Sequence, residues 1–290
     1  MTAAPAWTLA VGAMVSVQVG AALSTYLFPA IGPVGTVWLR LTVAAVFFLA
    51  IARPSLAGVN ARDLRAPLAL GVMTAVMTVF FVLALDRIPL GTVVAIEFLG
   101  PLSVAVVRSH DRRGLLWPLF AFIGVVLLTE PWTGEIDRLG VLYAALAGVG
   151  WAAYIVLTQK VGDRFSGLQG LAITMPVAAI AAAFVGVPQA IGGLTWQVFG
   201  IAVALAVLLP IIPFALELQA LRRLTTAAFG TLMALEPAIA TIVGALLLAQ
   251  VPAAIQVLGV ALVVVAGIGA ERSGHRDTTN PSVGFGEGTA

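Results

Sequence analysis

Apolar runs of about 20 residues, separated by short polar connections, recur along the whole chain. A run of this length can carry an α-helix across the hydrocarbon core of a bilayer. The connections, for example 86–89, 109–113 and 250–252, are too short to hold a soluble domain. The pattern therefore predicts an all-α membrane protein with ten transmembrane helices, near 7–28, 34–52, 66–85, 90–108, 114–130, 139–159, 167–187, 196–218, 225–249 and 253–270.

Basic residues in the connections are divided unequally between the two sides of the predicted bundle. Ten spans place both termini on one side, and only Arg87 and Arg138 fall on the other. The side of the termini carries twelve: Arg53, Arg62, Arg65, Arg108, Arg112, Arg113, Lys160, Arg164, Arg222, Arg223, Arg272 and Arg276. Because cytoplasmic loops carry the excess of lysine and arginine, both termini are predicted to be cytoplasmic.

The two halves of the chain repeat one another. Residues 84–101 (ALDRIPLGTVVAIEFLGP) align with 220–237 (ALRRLTTAAFGTLMALEP) at an offset of 136, with five of eighteen positions identical. Five helices per repeat is an odd number, so the second repeat must be inverted relative to the first. The sequence predicts inverted repeats over 1–134 and 135–270, followed by a disordered cytoplasmic tail over 271–290. This arrangement is typical of secondary transporters, whose site lies between the repeats.

Composition narrows the classes of function. Hydrophobic residues make up 61% of the chain and charged residues 10%, which excludes an ordinary soluble domain. The net charge of +2 does not indicate nucleic-acid binding, because the arginines lie in loops between spans. No cysteine is present, and no phosphate-binding GxxxxGK[ST] loop or HExxH metal motif occurs. We therefore predict no metal, no cofactor and no catalytic residues, and a lipid bilayer as the surroundings.

Two glutamates lie deep in predicted spans, and each is close to a proline. Glu236 is followed at once by Pro237, and Glu97 lies four residues before Pro101. A proline has no backbone N–H. Pro101 therefore cannot donate a hydrogen bond to the carbonyl of Glu97, and Pro237 cannot donate one to that of Met233, so both helices should break there. A charged group in a span costs about 2.5–3.5 kcal/mol. Both carboxyls are therefore expected to face the bundle interior and bind a proton or substrate, or to pair with a neighbouring helix.

A third glutamate, Glu217, lies five residues before Arg222. It is predicted either to line the same pathway or to form an ion pair with Arg222 or Arg223. Pro210 and Pro213 should kink the helix ahead of it and direct its side chain inward.

Arg40 is the one basic residue within a predicted span. Its guanidinium can bind a substrate carboxylate through two hydrogen bonds, or it can neutralise Glu97 permanently. The sequence leaves both interpretations open.

Three further polar or aromatic residues, Gln18, Trp151 and Tyr154, lie within spans, and Gln18 and Tyr154 are themselves 136 residues apart. They are predicted to line a cavity for a small polar solute. Hydrogen bonding between helices, or an aromatic at the membrane interface, would explain them equally well.

Several segments together resemble the EamA branch of the drug/metabolite transporter superfamily, and within it the bacterial exporters of threonine and homoserine. They are QVGAALSTYLFP (18–29), WLRLTVAAVFF (38–48), AIEFLGPLSVAV (95–106), GWAAYIV (150–156) and PFALELQALRRLTTAAFGTLMALEP (213–237). The resemblance implies ten helices in two inverted EamA repeats, a central cavity, and export of small metabolites driven by protons. The residues that match that type of exporter are Gln18, Arg40, Glu97, Trp151, Tyr154, Glu217 and Glu236.

These observations lead to one main hypothesis and three alternatives. The main hypothesis is a proton-coupled exporter of a small zwitterionic metabolite in the bacterial cytoplasmic (inner) membrane, working by alternating access. The same fold could instead export an aromatic metabolite, a purine or a drug, or it could be an uncoupled facilitator. An intramembrane enzyme is disfavoured, because no histidine or cysteine lies in a span.

Overall fold

The structure is a computed structural model, and it describes residues 6–54, 60–108, 116–133, 135–162, 164–165, 168–221, 229 and 232–273. The described residues are helical apart from short connections, and they contain no strand. The helices are α1 (Ala6–Ser24), α2 (Phe28–Ile31), α3 (Pro33–Ala52), α4 (Ala61–Leu85), α5 (Leu90–Glu97), α6 (Leu99–Arg108), α7 (Leu116–Thr129), α8 (Arg138–Gly162), α9 (Gln169–Ala190), α10 (Trp196–Ala206), α11 (Ile212–Leu221), α12 (Glu236–Leu248) and α13 (Ala254–Ser273).

Apolar helices lie within the regions predicted as spans. Within the described residues, five are long and apolar enough to cross a membrane: 7–31, 33–52, 62–85, 138–162 and 169–190. Five shorter apolar helices cover 90–104, 116–129, 196–211, 236–248 and 254–270. The count of ten spans and the cytoplasmic placement of the termini stay predictions, because length and composition alone do not establish a crossing.

Helix ends differ from the predicted boundaries by a few residues. α4 begins five residues before the predicted span, and the backbone N–H of its N-cap residue Asn60 donates to Asp63 at 3.1 Å. Thr195 caps α10 by accepting from the backbone N–H of Val198 at 3.2 Å. α13 continues to Ser273, into the predicted tail, and the rest of that tail lies outside the described residues.

Several contacts between helices have a counterpart when the two predicted repeats are exchanged. α4 packs against α8 as α11 packs against α1, and α4 packs against α9 as α10 packs against α3. α6 packs against α8 as α12 packs against α1. Helices that would be equivalent also pack on each other: α3 on α9 and α7 on α13. At the last contact a Cβ on either Gly124 or Gly259 would lie 2.6 Å from the carbonyl oxygen of the other, so both positions require glycine.

Candidate functional site

Helix α5 ends at Glu97, and α6 begins after a single turn residue, Phe98. Pro101 lies in the first turn of α6, where it cannot donate to the carbonyl of Glu97. The break packs directly against α8. A Cβ on Gly148 would lie 2.9 Å from the Glu97 carbonyl oxygen, and one on Gly100 would collide with the backbone of Gly148. The absence of side chains on both glycines allows the two backbones to touch.

A second break precedes Glu236. The chain is helical at Leu232 and Met233, turns at Ala234 and Leu235, and resumes as α12 at Glu236 with Pro237 in the first turn. Proline suits that position, because a backbone N–H in the first turn of a helix would have no acceptor within the helix.

The two breaks meet in the bundle. Phe98 and Ala234 are 136 residues apart and belong to one buried cluster. Gly267 of α13 lies between them, since a Cβ there would be 2.7 Å from the Phe98 ring and 2.7 Å from the Ala234 Cβ. Two interrupted helices, each carrying a glutamate at its break, therefore adjoin one another.

A third break lies in the predicted eighth span. Between α10 and α11 the residues Val207–Ile211 form a π-type turn, and Leu209 is extended, with φ −155° and ψ 106°. Pro210 follows Leu209, and Pro213 occupies the first turn of α11. The hydroxyl of Ser16 donates to the carbonyl of Leu208 at 2.8 Å, so α1 satisfies an acceptor at the break.

Three buried polar atoms have no hydrogen-bond partner among the described residues: Oε1 of Gln18, Nε of Arg40 and Oε2 of Glu236. These side chains are 2%, 5% and 4% exposed. Buried polar groups are nearly always hydrogen-bonded, because an unsatisfied one costs about 1–3 kcal/mol. All three belong to the set of site residues predicted from the sequence. Together they offer two acceptors and one N–H donor.

The start of α5 and the end of α12 lie together at one end of the bundle, where the Leu90 N–H donates to Gln250 at 2.9 Å.

Arg40 does not pair with Glu97. Its Nη1 donates to the hydroxyl of Ser24 at 2.7 Å. The ion pairs in the described part of the chain are Arg87 with Asp137 and Arg164 with Asp63, both at the surface. Of the two interpretations that the sequence left open, permanent neutralisation of Glu97 by Arg40 is therefore not what the structure shows.

The three glutamates form one electrostatic group. Glu236 interacts electrostatically with both Glu217 and Glu97, and Glu97 is itself 6% exposed. Glu217 is half-buried on α11 and also interacts with Tyr154. Arg222 and Arg223, the alternative partners of Glu217, lie outside the described residues. Among the described residues none of the three pairs with an arginine or lysine. Carboxyls in that situation can exchange protons or attract a cationic group.

The two aromatic residues of α8 that the sequence singled out lie in different surroundings. The ring of Trp151 packs edge-on against Phe98, with centroids 6.4 Å apart. Tyr154 is half-buried, hydrogen-bonds Thr158 and packs on the cluster around Leu70.

Sequence reasoning missed Ser16 and Ser24, the two serines of α1 that contact a helix break and Arg40. A signal was present in the chain, because Gly12, Ser16, Gly20 and Ser24 recur at intervals of four. Small residues at this spacing indicate a face along which helices approach closely.

Metal binding has no support in the described part of the chain, where no group of three or more His, Cys, Asp or Glu side chains could hold an ion. His110 and His275 lie outside the described residues.

Comparison with known proteins gives a family for the second half of the chain. Residues 138–269 match the EamA-like transporter family, which is a family of transporters and not of enzymes. The threonine/homoserine exporter RhtA of Escherichia coli (strain K12) is 34% identical over 177 residues, which cover 60% of this chain and 59% of the exporter. RhtA of Salmonella typhimurium (strain SL1344) matches with the same identity and coverage. The chain thus spans about three fifths of the length of these curated relatives.

A solved crystal structure, described only as that of a protein, resembles the whole bundle. It superposes on 92% of this chain and 96% of its own chain, with a TM-score of 0.61 and 19% sequence identity. The likeness is one of fold. The match to a transporter family and the five long apolar helices indicate a multi-pass membrane protein.

Proposed function

We propose that this protein, whose residues 138–269 match the EamA-like transporter family, exports small zwitterionic amino acids of the threonine and homoserine type. We place it in the bacterial cytoplasmic membrane, with both termini on the cytoplasmic side. The names of the relatives suggest the solute, since both are threonine/homoserine exporters.

The observation that carries the proposal is the set of three unpartnered buried atoms. An amino acid has a carboxylate that accepts hydrogen bonds and an ammonium group that donates them. Arg40 offers an unpaired N–H, while Gln18 and Glu236 offer unpaired oxygens. A ligand with one end that accepts and one end that donates hydrogen bonds matches this set of atoms. The guanidinium binds the carboxylate, and Glu236 with Gln18 binds the ammonium.

Coupling to protons follows from the glutamates. A proton and an ammonium group compete for the carboxylate of Glu236, so the site holds one or the other. Exchange of the two across the membrane then drives export up a gradient. Glu97 and Glu217 interact electrostatically with Glu236, and in this mechanism they pass the proton between the site and the two sides of the membrane.

Alternating access requires two arrangements of the same helices. We assign ten spans to the chain and two inverted repeats over 1–134 and 135–270. The exchangeable packing of the helices and the paired breaks at Phe98 and Ala234 support this assignment. Inverted repeats allow one repeat to adopt the conformation of the other, which opens the site to the opposite side.

The test is efflux of labelled threonine from liposomes that contain the purified protein, with an imposed pH gradient. The proposal predicts that efflux accelerates with the gradient and that Glu236→Gln removes the acceleration. Glu135→Gln is the matched control, because it makes the same chemical change at an exposed loop residue and should leave transport intact.

Other outcomes separate the alternatives. Threonine efflux that ignores the pH gradient would identify an uncoupled facilitator. No movement of threonine or homoserine, with the protein folded, would refute the solute. A resistance screen with aromatic metabolites, purines and drugs would then identify it. Coupled efflux that persists in Glu236→Gln would assign the exchange to another residue.

A further inference from the structure

We infer that Ser24 is a positioning residue that holds the guanidinium of Arg40 in the orientation that receives the ligand carboxylate. The inference rests on the proposed function, in which Arg40 binds that carboxylate.

The hydroxyl of Ser24 is fixed from two sides. It donates its hydrogen to the carbonyl of Gly20 at 2.6 Å, one turn earlier in α1, and it accepts from Nη1 of Arg40 at 2.7 Å. Ser24 is fully buried. A hydroxyl has a single hydrogen. Donation to Gly20 therefore turns the lone pairs of Ser24 toward the arginine, and the contact has a defined direction.

The anchor behind Ser24 is rigid. Gly20 packs against the break between α10 and α11, because a Cβ on Gly20 would lie 2.8 Å from the Cβ of Leu209. Ser16, on the same face of α1, donates to the Leu208 carbonyl at 2.8 Å. The carbonyl that holds the Ser24 hydroxyl thus belongs to a backbone segment pressed against a neighbouring helix.

The arginine needs such support. Arginine has a long side chain with many rotamers, and its planar fork binds a carboxylate well only when it is oriented in advance. No carboxylate pairs with Arg40 in the described residues, so Ser24 is the one side chain that orients it there. With Nη1 engaged, Nε is left buried and unpartnered, and its N–H is available to the ligand.

A purely structural role for Ser24 predicts something different. Serine and threonine hydroxyls in helices often bond the carbonyl four residues earlier without any further function. Thr36, a buried residue on the same helix as Arg40, does this with Gly32 at 2.8 Å. Thr36→Val is therefore a matched control, because it removes a back-bonded hydroxyl and leaves Arg40 alone.

The experiment measures KM and kcat for threonine counterflow in proteoliposomes for wild type, Ser24→Ala, Arg40→Lys, the double variant and Thr36→Val. We expect Ser24→Ala to raise KM by at least about tenfold, as for loss of a hydrogen bond to a charged group, with kcat little changed. In the Arg40→Lys background, Ser24→Ala should add nothing to KM, because a lysine does not keep the guanidinium contact. Thr36→Val should retain the wild-type KM.

Two results would overturn the assignment while leaving the proposed function intact. One is a wild-type KM in Ser24→Ala. The other is a multiplicative loss in the double variant, which would show that serine and arginine act separately. If Ser24→Ala does not fold, Ser24→Cys provides the same comparison, since a thiol fills the site but accepts hydrogen bonds weakly. A wild-type protein that moves no threonine would overturn the proposed function and this assignment together.

Discussion

Replacement of Gly148 by alanine tests whether the contact between α8 and the break in α5–α6 holds Glu97 in place. The added Cβ would lie 2.9 Å from the Glu97 carbonyl oxygen, 3.3 Å from its Cα and 3.4 Å from the carbonyl oxygen of Ile96. All three are backbone atoms and cannot rotate away. Carbon–oxygen contacts in proteins settle at about 3.3–3.6 Å, so the two helices would have to separate by about 0.5 Å.

The cost of that separation is that of overpacking a core, about 1–3 kcal/mol. Alanine also stabilises a helix by about 0.5–1 kcal/mol relative to glycine. Gly200→Ala measures this second effect alone, because a Cβ at Gly200 of α10 meets no atom within 4 Å. The difference in free energy of unfolding between the two variants should therefore be about 1–3 kcal/mol, with Gly148→Ala the less stable.

Denaturant unfolding in detergent, followed by helical circular dichroism, gives the stability difference, and threonine efflux from liposomes gives the effect on turnover. We expect Gly148→Ala to lower turnover as well, because the displaced backbone carries Glu97. Equal stability and equal turnover in Gly148→Ala and Gly200→Ala would refute the close contact and its role in positioning the glutamate.

Three further predictions concern single side chains. In counterflow assays, Arg40→Met should raise the KM for threonine by roughly 10–100-fold, because a charge-assisted contact is lost. An unchanged KM would exclude carboxylate binding by Arg40. Gly267→Val should abolish threonine efflux while Gly200→Val does not, because only the former pushes Phe98 and Ala234 apart; equal efflux in both variants would contradict this. The backbone N–H of Gly140, and then Arg87, hold the pKa of the exposed Asp137 carboxyl below its usual range. That carboxylate therefore stabilises the folded state above about pH 4 and loses this effect as pH falls further. Asp137→Asn should thus be slightly less stable than wild type at pH 7 and equally stable near pH 2. A difference in stability between the two proteins that grows on acidification would contradict this prediction.

The helices themselves could be predicted because a bilayer imposes a simple rule of length and hydrophobicity. The break at Pro101 could also be predicted, because the missing backbone N–H of a proline is a property of that residue alone and does not depend on its tertiary contacts. The interruption before Pro210 is larger than the expected kink, with Leu209 extended rather than helical. Its form depends on the fit of Gly20 and Ser16 of α1 against it, and those residues lie nearly 200 positions away.

The partner of Arg40 could not be chosen from the sequence. Whether its side chain meets Glu97 or Ser24 depends on how α3 is rotated about its axis and on which helix packs beside it. The role of Ser24 was equally hidden, because a single serine at the end of an apolar helix looks like an ordinary back-bonding residue. Residue types of the candidate site were therefore predictable, whereas their pairings required the tertiary packing.

The most direct test of a site for zwitterions is the affinity of the purified protein for threonine and for two derivatives that each lack one charge. Threoninamide has no carboxylate for Arg40, and N-acetylthreonine has no ammonium for Glu236 and Gln18. Calorimetric titration should show binding of threonine and a loss of at least about tenfold for each derivative, since each leaves a buried polar group unpaired. Equal affinity for threonine and either derivative would contradict the assignment of that end of the site.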